Sequence, residues 1–271
     1  MKFKGIALNI AVGLIGLIVL FPLLWMVSVS FMSTGEAAVF PPPLLPKTWT
    51  LDHYRDLFLT QGMGRYLWNS FALASLATGL ALAFTVPAGY AFAKLSFKGR
   101  DRVFQLLVAA LVVPAQIGTL PLFLMLKQMG LVNTWAGALV PWLASIFGLF
   151  LVRQYALSIP DEMLEAARID GASEGQIFRR VVLPTLQPII VTLALFVFLG
   201  SWNDFLWPLI ILTDQSNYTL PVALAALSRE HVQDIEMMMA GAVITVAPVL
   251  ILFLALQRYY IRGMLAGSVK G

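Results

Sequence analysis

The sequence has no cysteine in its 271 residues, so no disulfide, thiol nucleophile or thiolate metal ligand can take part in its chemistry. Histidine is nearly missing as well. His53 and His231 lie far apart in polar loops and share no metal-ligand spacing, so no metal site is expected. No G-x-x-x-x-G-K-[ST] string occurs, which removes the phosphate-cradling loop that an ATP-hydrolysing chain would need. H-E-x-x-H and G-x-S-x-G are also lacking, leaving neither a zinc peptidase nor a serine hydrolase to build. Charge is scarce: 12% of residues, against about 25% in an average soluble domain.

What the chain has is apolar length. It is 59% hydrophobic with a mean hydropathy of +0.84. Six runs, at about 6–31, 68–93, 103–125, 135–152, 186–212 and 238–260, each reach or approach the ~20 residues that cross a bilayer. The first is longer than the ~7–15 apolar residues of a secretory signal and contains Pro22 and Trp25, so it reads as a retained span. A proline cluster, Pro41-Pro42-Pro43 and Pro46, excludes a continuous helix after it, with a short helix expected near Asp52–Phe58. Pro114 and Pro121 imply kinks in the third run. The chain is thus an all-α integral membrane protein forming a single transmembrane domain over residues 1–271.

Orientation follows from the basic residues. One set of alternate loops holds 13 of the 18 Lys and Arg, among them Lys94, Lys98, Arg100, Arg102 and Arg153; the other holds 5. The positive-inside bias places both termini, and residues Leu157–Pro188, in the cytoplasm. The pI of 9.4 belongs to this pattern, and no nucleic-acid partner is expected.

Leu157–Pro188 is the longest charged, amphipathic interruption of the second half. Pro160 suits a first helical position, with the Ser158 oxygen near the helix start and Asp161 and Glu162 facing the positive end of the helix. Gly171 supplies the stop, and Ser173 with Gln176 makes a capping box for a second helix bearing Ile177, Phe178, Val181 and Val182. Ala166 and Ala167 form a small-residue face that a protein surface could approach closely. Within the spans, polar groups are expensive and become functional candidates. Asn203 and Asp204, beside Trp202, either line a translocation path or seal helices, or Asp204 hydrates at the outer surface with Trp202 and Trp207 as interfacial aromatics. Asn69 and Gln116 are weaker candidates, each equally explained by helix packing. Gly79, Gly89 and Gly241 read as packing residues.

Glu165-Ala166-Ala167, then Gly171, then Leu183-Pro184, resembles the EAA loop of ATP-binding-cassette (ABC) importer permeases. The fuller string EAARIDGAS…RVVLPTLQP is similar to the carbohydrate-uptake branch, and the C-terminal tail Arg262-Gly263…Gly267-Ser268-Val269-Lys270 to the second membrane subunit of maltose-type systems. The resemblance implies a type I importer permease fold with a cytoplasmic coupling helix. It implies ATPase contacts at Glu165, Ala166, Ala167, Arg168, Asp170 and Gly171, and a further one at Arg262, Gly267 and Lys270. Its partners would be an ABC ATPase dimer that binds ATP and Mg, a second permease subunit, an extracytoplasmic solute-binding protein and membrane lipid, with no cofactor on this chain. It implies a multi-pass protein of the bacterial cytoplasmic (inner) membrane that imports a sugar, polyol or oligosaccharide. The alternatives are an importer permease for a non-sugar solute and a gradient-driven carrier, for which Asp204 is the available intramembrane carboxylate.

Overall fold

The computed structural model describes the backbone of residues 2–230 and 234–268, and side chains within 9–229 and 234–255. His231 and Lys270 lie outside the described residues, as does the side chain of Arg262, and of Gly267 only the backbone element is described. Among the described residues every regular element is helical. The chain divides into two compact units, Met1–Leu67 with Leu220–Ile251, and Trp68–Thr219 with Leu252–Gly271.

In the first unit, helix α1 (Lys2–Val29) carries a strongly apolar span, Asn9–Val29, that is exposed along most of its length and buries only its last residues, Ser28 and Val29, inside the chain. Its C-terminal end is tied to the proline-rich segment by Trp25 Nε1 donating to Pro43 O (3.2 Å) and Ser28 Oγ to Leu44 O (2.6 Å). The short helix α2 (Asp52–Leu59) is where the sequence places one. His53, expected in a polar loop, is instead 4% exposed on α2, with Nε2 2.9 Å from Met32 O. Between the fifth and sixth apolar runs the described residues include helix α13 (Leu220–Glu230). Helix α14 (Ile235–Ser268) starts earlier than its hydropathy suggests, because Asp234 Oδ1 accepts from Met237 N–H (2.8 Å) as its cap. Glu236 in its first turn is fully buried and accepts from the Ala37 N–H at 2.7 Å.

Most of the apolar runs of the second unit are broken. Helix α3 (Met63–Lys94) belongs to it from Trp68 onward and is its one long element. Helix α4 (Arg100–Ala110) and the segment Ala115–Gln128, which ends in α5 (Thr119–Gln128), meet at 94°. The kink expected at Pro114 is thus a bend of 94°: Pro114 has no N–H to give, and its extended ψ of 126° leaves the helical path. The fourth run splits into α6 (Trp135–Leu139) with a 3₁₀ turn to Trp142, then α7 (Ile146–Leu157), at 42°. Ser145 starts α7 by accepting the Gly148 N–H at 2.9 Å. The fifth run divides into α11 (Gln187–Trp202) and α12 (Leu206–Ile211). Among the described residues three helices are long and apolar enough to cross a membrane, rising to as many as six spans if each bent pair counts as one, the third such pair being the stretch Glu174–Thr185 with α11, at 77°.

Lipid tails are as apolar as the side chains, so these helices associate through close packing and hydrogen bonds and not through water release. Small residues make that contact. A Cβ on Gly89 of α3 would come within 2.5 Å of Val152 Cγ1 of α7, and one on Gly148 within 2.6 Å of Leu193 Cδ1 of α11. Gly241 is likewise covered, by Leu224 at 2.6 Å, whereas Gly79 faces open space and packs nothing. Ala77, Ala81, Val86 and Tyr90 of α3 join Val152, Ala156, Leu193 and Val197 in one core.

Candidate functional site

The charged stretch after α7 opens as two short helices. Helix α8 (Asp161–Ile169) begins one residue later than expected, with Pro160 as the flanking residue at ψ 133°. Ser158 does not cap α8: its Oγ donates back to Tyr155 O (2.7 Å) at the end of α7. The α8 C-terminus is a full Schellman turn. The Gly171 N–H reaches Arg168 O (3.0 Å), the Ala172 N–H reaches Ala167 O (3.0 Å), and Gly171 holds φ +84°. Helix α9 (Glu174–Ile177) opens with the predicted capping box, the Ser173 N–H donating to Gln176 Oε1 at 2.8 Å. Five residues of π-helix, Phe178–Val182, then lead through α10 (Leu183–Thr185) to α11.

The faces of α8 divide sharply. Leu164 is 1% exposed and Ala167 packs half-buried beside it, whereas Glu162, Met163, Glu165 and Ala166 are exposed and Ile169 is 86% exposed. Ala166 and Ala167 therefore do not form one face: Ala167 belongs to the core side and Ala166 to the free side. An apolar stripe flanked by two carboxylates, on a helix anchored by one leucine, is a surface built to be covered. Arg168 Nε donates to Glu174 Oε1 (2.7 Å), bracing α8 against α9. That bond, ahead of other effects, holds the Glu174 carboxyl below its ordinary range and raises the Arg168 guanidinium.

The broken helices enclose the second feature, an open cavity of about 560 Å³. Gln116 and Thr119 from one break, Pro141 and Trp142 from another, and Asp204, Leu206 and Trp207 from the third line it. Asp204 is half-buried and accepts the Trp207 N–H at 3.3 Å. Of the polar residues singled out for a path, Gln116 and Asp204 thus meet at one site. The other three do not line it. Trp202 is 1% exposed and stacks on Phe198 with ring centres 6.0 Å apart, because a flat indole completes the core there. Asn203 turns its amide back onto Leu199 O (2.8 Å) at the end of α11. Buried Asn69 donates to Ser216 O (2.9 Å) and Tyr218 O (3.0 Å), pinning the turn after α12. Trp142 and Thr119 escaped sequence reading, and Trp207 read only as an interfacial aromatic, because only the bends bring this lining together. Among the described residues no group of three or more metal-ligating side chains occurs.

Residues 85–266, which include α8, the π-turn and all of the cavity lining, match the family profile described as "Binding-protein-dependent transport system inner membrane component". The chain belongs to this family. It is a permease subunit of an ABC importer, and the all-α membrane fold expected from the EAA string is the one observed.

An arabinooligosaccharide transport system permease of Halalkalibacterium halodurans is 38% identical over 97% of this permease and 96% of its own length. An osmoprotective compounds uptake permease of Synechocystis sp. is 38% identical over 88% and 81%. Among solved structures, a chain of a bacterial ABC transporter involved in importing the acidic polysaccharide alginate superposes with a TM-score of 0.81. It is 25% identical and covers 96% of this permease and 97% of that chain.

Proposed function

We propose that this permease is one membrane subunit of an ATP-driven, binding-protein-dependent importer of a sugar, polyol or oligosaccharide, and that α8 is the element on which a partner ATPase docks. The observation that carries the reading is the free face of α8, with Ile169, Met163 and Ala166 exposed beside Glu162 and Glu165 on a helix whose other side is fixed by Leu164. Ala166 admits close approach, Glu165 offers a charge-assisted contact, and Arg168, Asp170 and Gly171 set the turn that presents them. ATP and Mg bind on the ATPase dimer, which closes and displaces α8. The spans then alternate access at the interface with a second permease, while a solute-binding protein delivers from the outer side. The positive-inside charge pattern supports cytoplasmic termini in a bacterial inner membrane.

The carbohydrate class is supported by the relatives' own solutes and by the cavity. Indole faces suit the C–H faces of a sugar ring, and Gln116, Thr119 and Asp204 offer hydrogen-bond partners to hydroxyls. Purification of the tagged permease from its native membrane tests the proposal. Co-recovery of an ATPase and a second permease is the expected result; a chain that purifies alone and transports on a proton gradient refutes it.

A further inference from the structure

Lys94, the last residue of α3, has a side chain only 6% exposed, unusual for a lysine at the end of a span. Its ammonium donates to Ile159 O at 2.6 Å and to Asp161 Oδ1 at 2.7 Å, and lies 3.5 Å from Leu157 O. An ammonium has three protons, and these acceptors match them in number. They come from the last residue of α7, the linker after it and the first residue of α8. The joint between a membrane helix and the docking helix is therefore folded around one amine of a different span. One turn earlier on α3, buried Tyr90 donates to Glu174 Oε2 at 3.3 Å, and its ring sits 5.4 Å from that of Phe178. Glu174 is the residue that Arg168 braces from α8. The C-terminal end of α3 thus holds the coupling segment at two points, the start of α8 and the start of α9. Immediately beside them Arg153 Nε of α7 donates to Phe92 O (3.2 Å), so the α7–α3 contact is itself cross-tied.

We propose that Lys94 and Tyr90 are positioning residues for energy coupling, a two-point latch that carries displacement of α8–α9 directly into α3. The inference rests on the docking role proposed above for α8. Covalent continuity alone would pass motion only to α7 and α11; the latch adds a third, non-covalent output. An ammonium on a side chain only 6% exposed, held by two carbonyls and a carboxylate, resists shear more than a fully exposed ion pair does, since its removal leaves the part-buried Ile159 carbonyl without this donor.

The test uses the assembled importer in lipid vesicles, measuring solute uptake and ATP hydrolysis in the same preparation for K94M, Y90F and D161N. Asp161 is largely exposed, so D161N weakens the latch without opening the core. Solute moved per ATP should fall by at least about fivefold in K94M, with smaller falls in Y90F and D161N, while ATP hydrolysis persists. If K94M does not assemble, Y90F and D161N decide by the same ratio. An unchanged ratio, or uptake and hydrolysis lost in parallel, overturns the latch alone and leaves these residues structural. A wild-type chain that assembles with no ATPase overturns the docking role and the latch with it.

Discussion

Replacing Gly171 separates the conformation of the coupling segment from its contact surface. Gly171 holds φ +84°, and a Cβ there would meet nothing within 4 Å, so the penalty for a side chain is backbone strain and not a clash within the chain. A left-handed L-residue costs about 1–2 kcal/mol; Asn tolerates that region, and a β-branched residue fares worst. Gly171→Ala should therefore open the Schellman turn about fivefold more often, Gly171→Val about thirtyfold, and Gly171→Asn little. The reporter is hydrogen exchange at the Ala172 amide, which is protected by Ala167 O at 3.0 Å, read in the purified complex alongside solute uptake. Exchange should rank Val above Ala above Asn, and uptake should fall in the same order. If Asn impairs uptake as much as Val while the Ala172 amide stays protected, bulk at a partner surface is the cause and the conformational explanation fails.

Gly89→Leu should disrupt the α3–α7 contact, where Val152 Cγ1 already lies 2.5 Å from the Cβ position, lowering stability by about 1–3 kcal/mol; Val152→Ala should recover part of the loss in a thermal melt. Trp202→Ala should cost about 3–5 kcal/mol by leaving a core cavity, and a variant that melts normally but changes solute preference would return Trp202 to the path. Asp204→Asn together with Gln116→Ala should slow uptake while ATPase assembly, read by co-purification, is unchanged. Because Arg168 holds the Glu174 carboxyl below its ordinary range, their bond favours the folded turn above the unfolded glutamate pKa. That contribution is lost as pH falls through the lower folded value. Ala172 protection should therefore drop below about pH 4.3 in the wild type and show no such step in Arg168→Met.

The coupling segment was legible because its signals are local. A capping box, a helix-stopping glycine and charge at a helix start each act within four residues, and the observed turn uses all three, off by one at Pro160. The cavity was only half legible. Gln116 and Asp204 stood out as polar groups in apolar runs, but hydropathy averages over a window and cannot see a 94° bend, so the aromatic lining those bends assemble stayed hidden. The same blindness made Asn69 and Trp202 look like path residues. A buried amide that satisfies two carbonyls and a buried indole that fills a core carry the same letters as ligand contacts. Lys94 was read as one charge in a basic loop, since its acceptors lie more than sixty positions away in sequence.

The π-turn at Phe178–Val182 sets a phase. Buried positions along this stretch step from Ile177 to Val182, then to Leu186, Leu193 and Val197: one interval of five followed by helical spacing. An α-helix advances about 100° per residue, so the extra residue is an angular offset written into chain length. Deleting any one of the five would leave composition and hydropathy almost untouched, yet would turn the free face of α8 about a quarter revolution against α11. In this protein a single-residue deletion there is a rotation, and the docking proposed for α8 should tolerate many substitutions before it tolerates that.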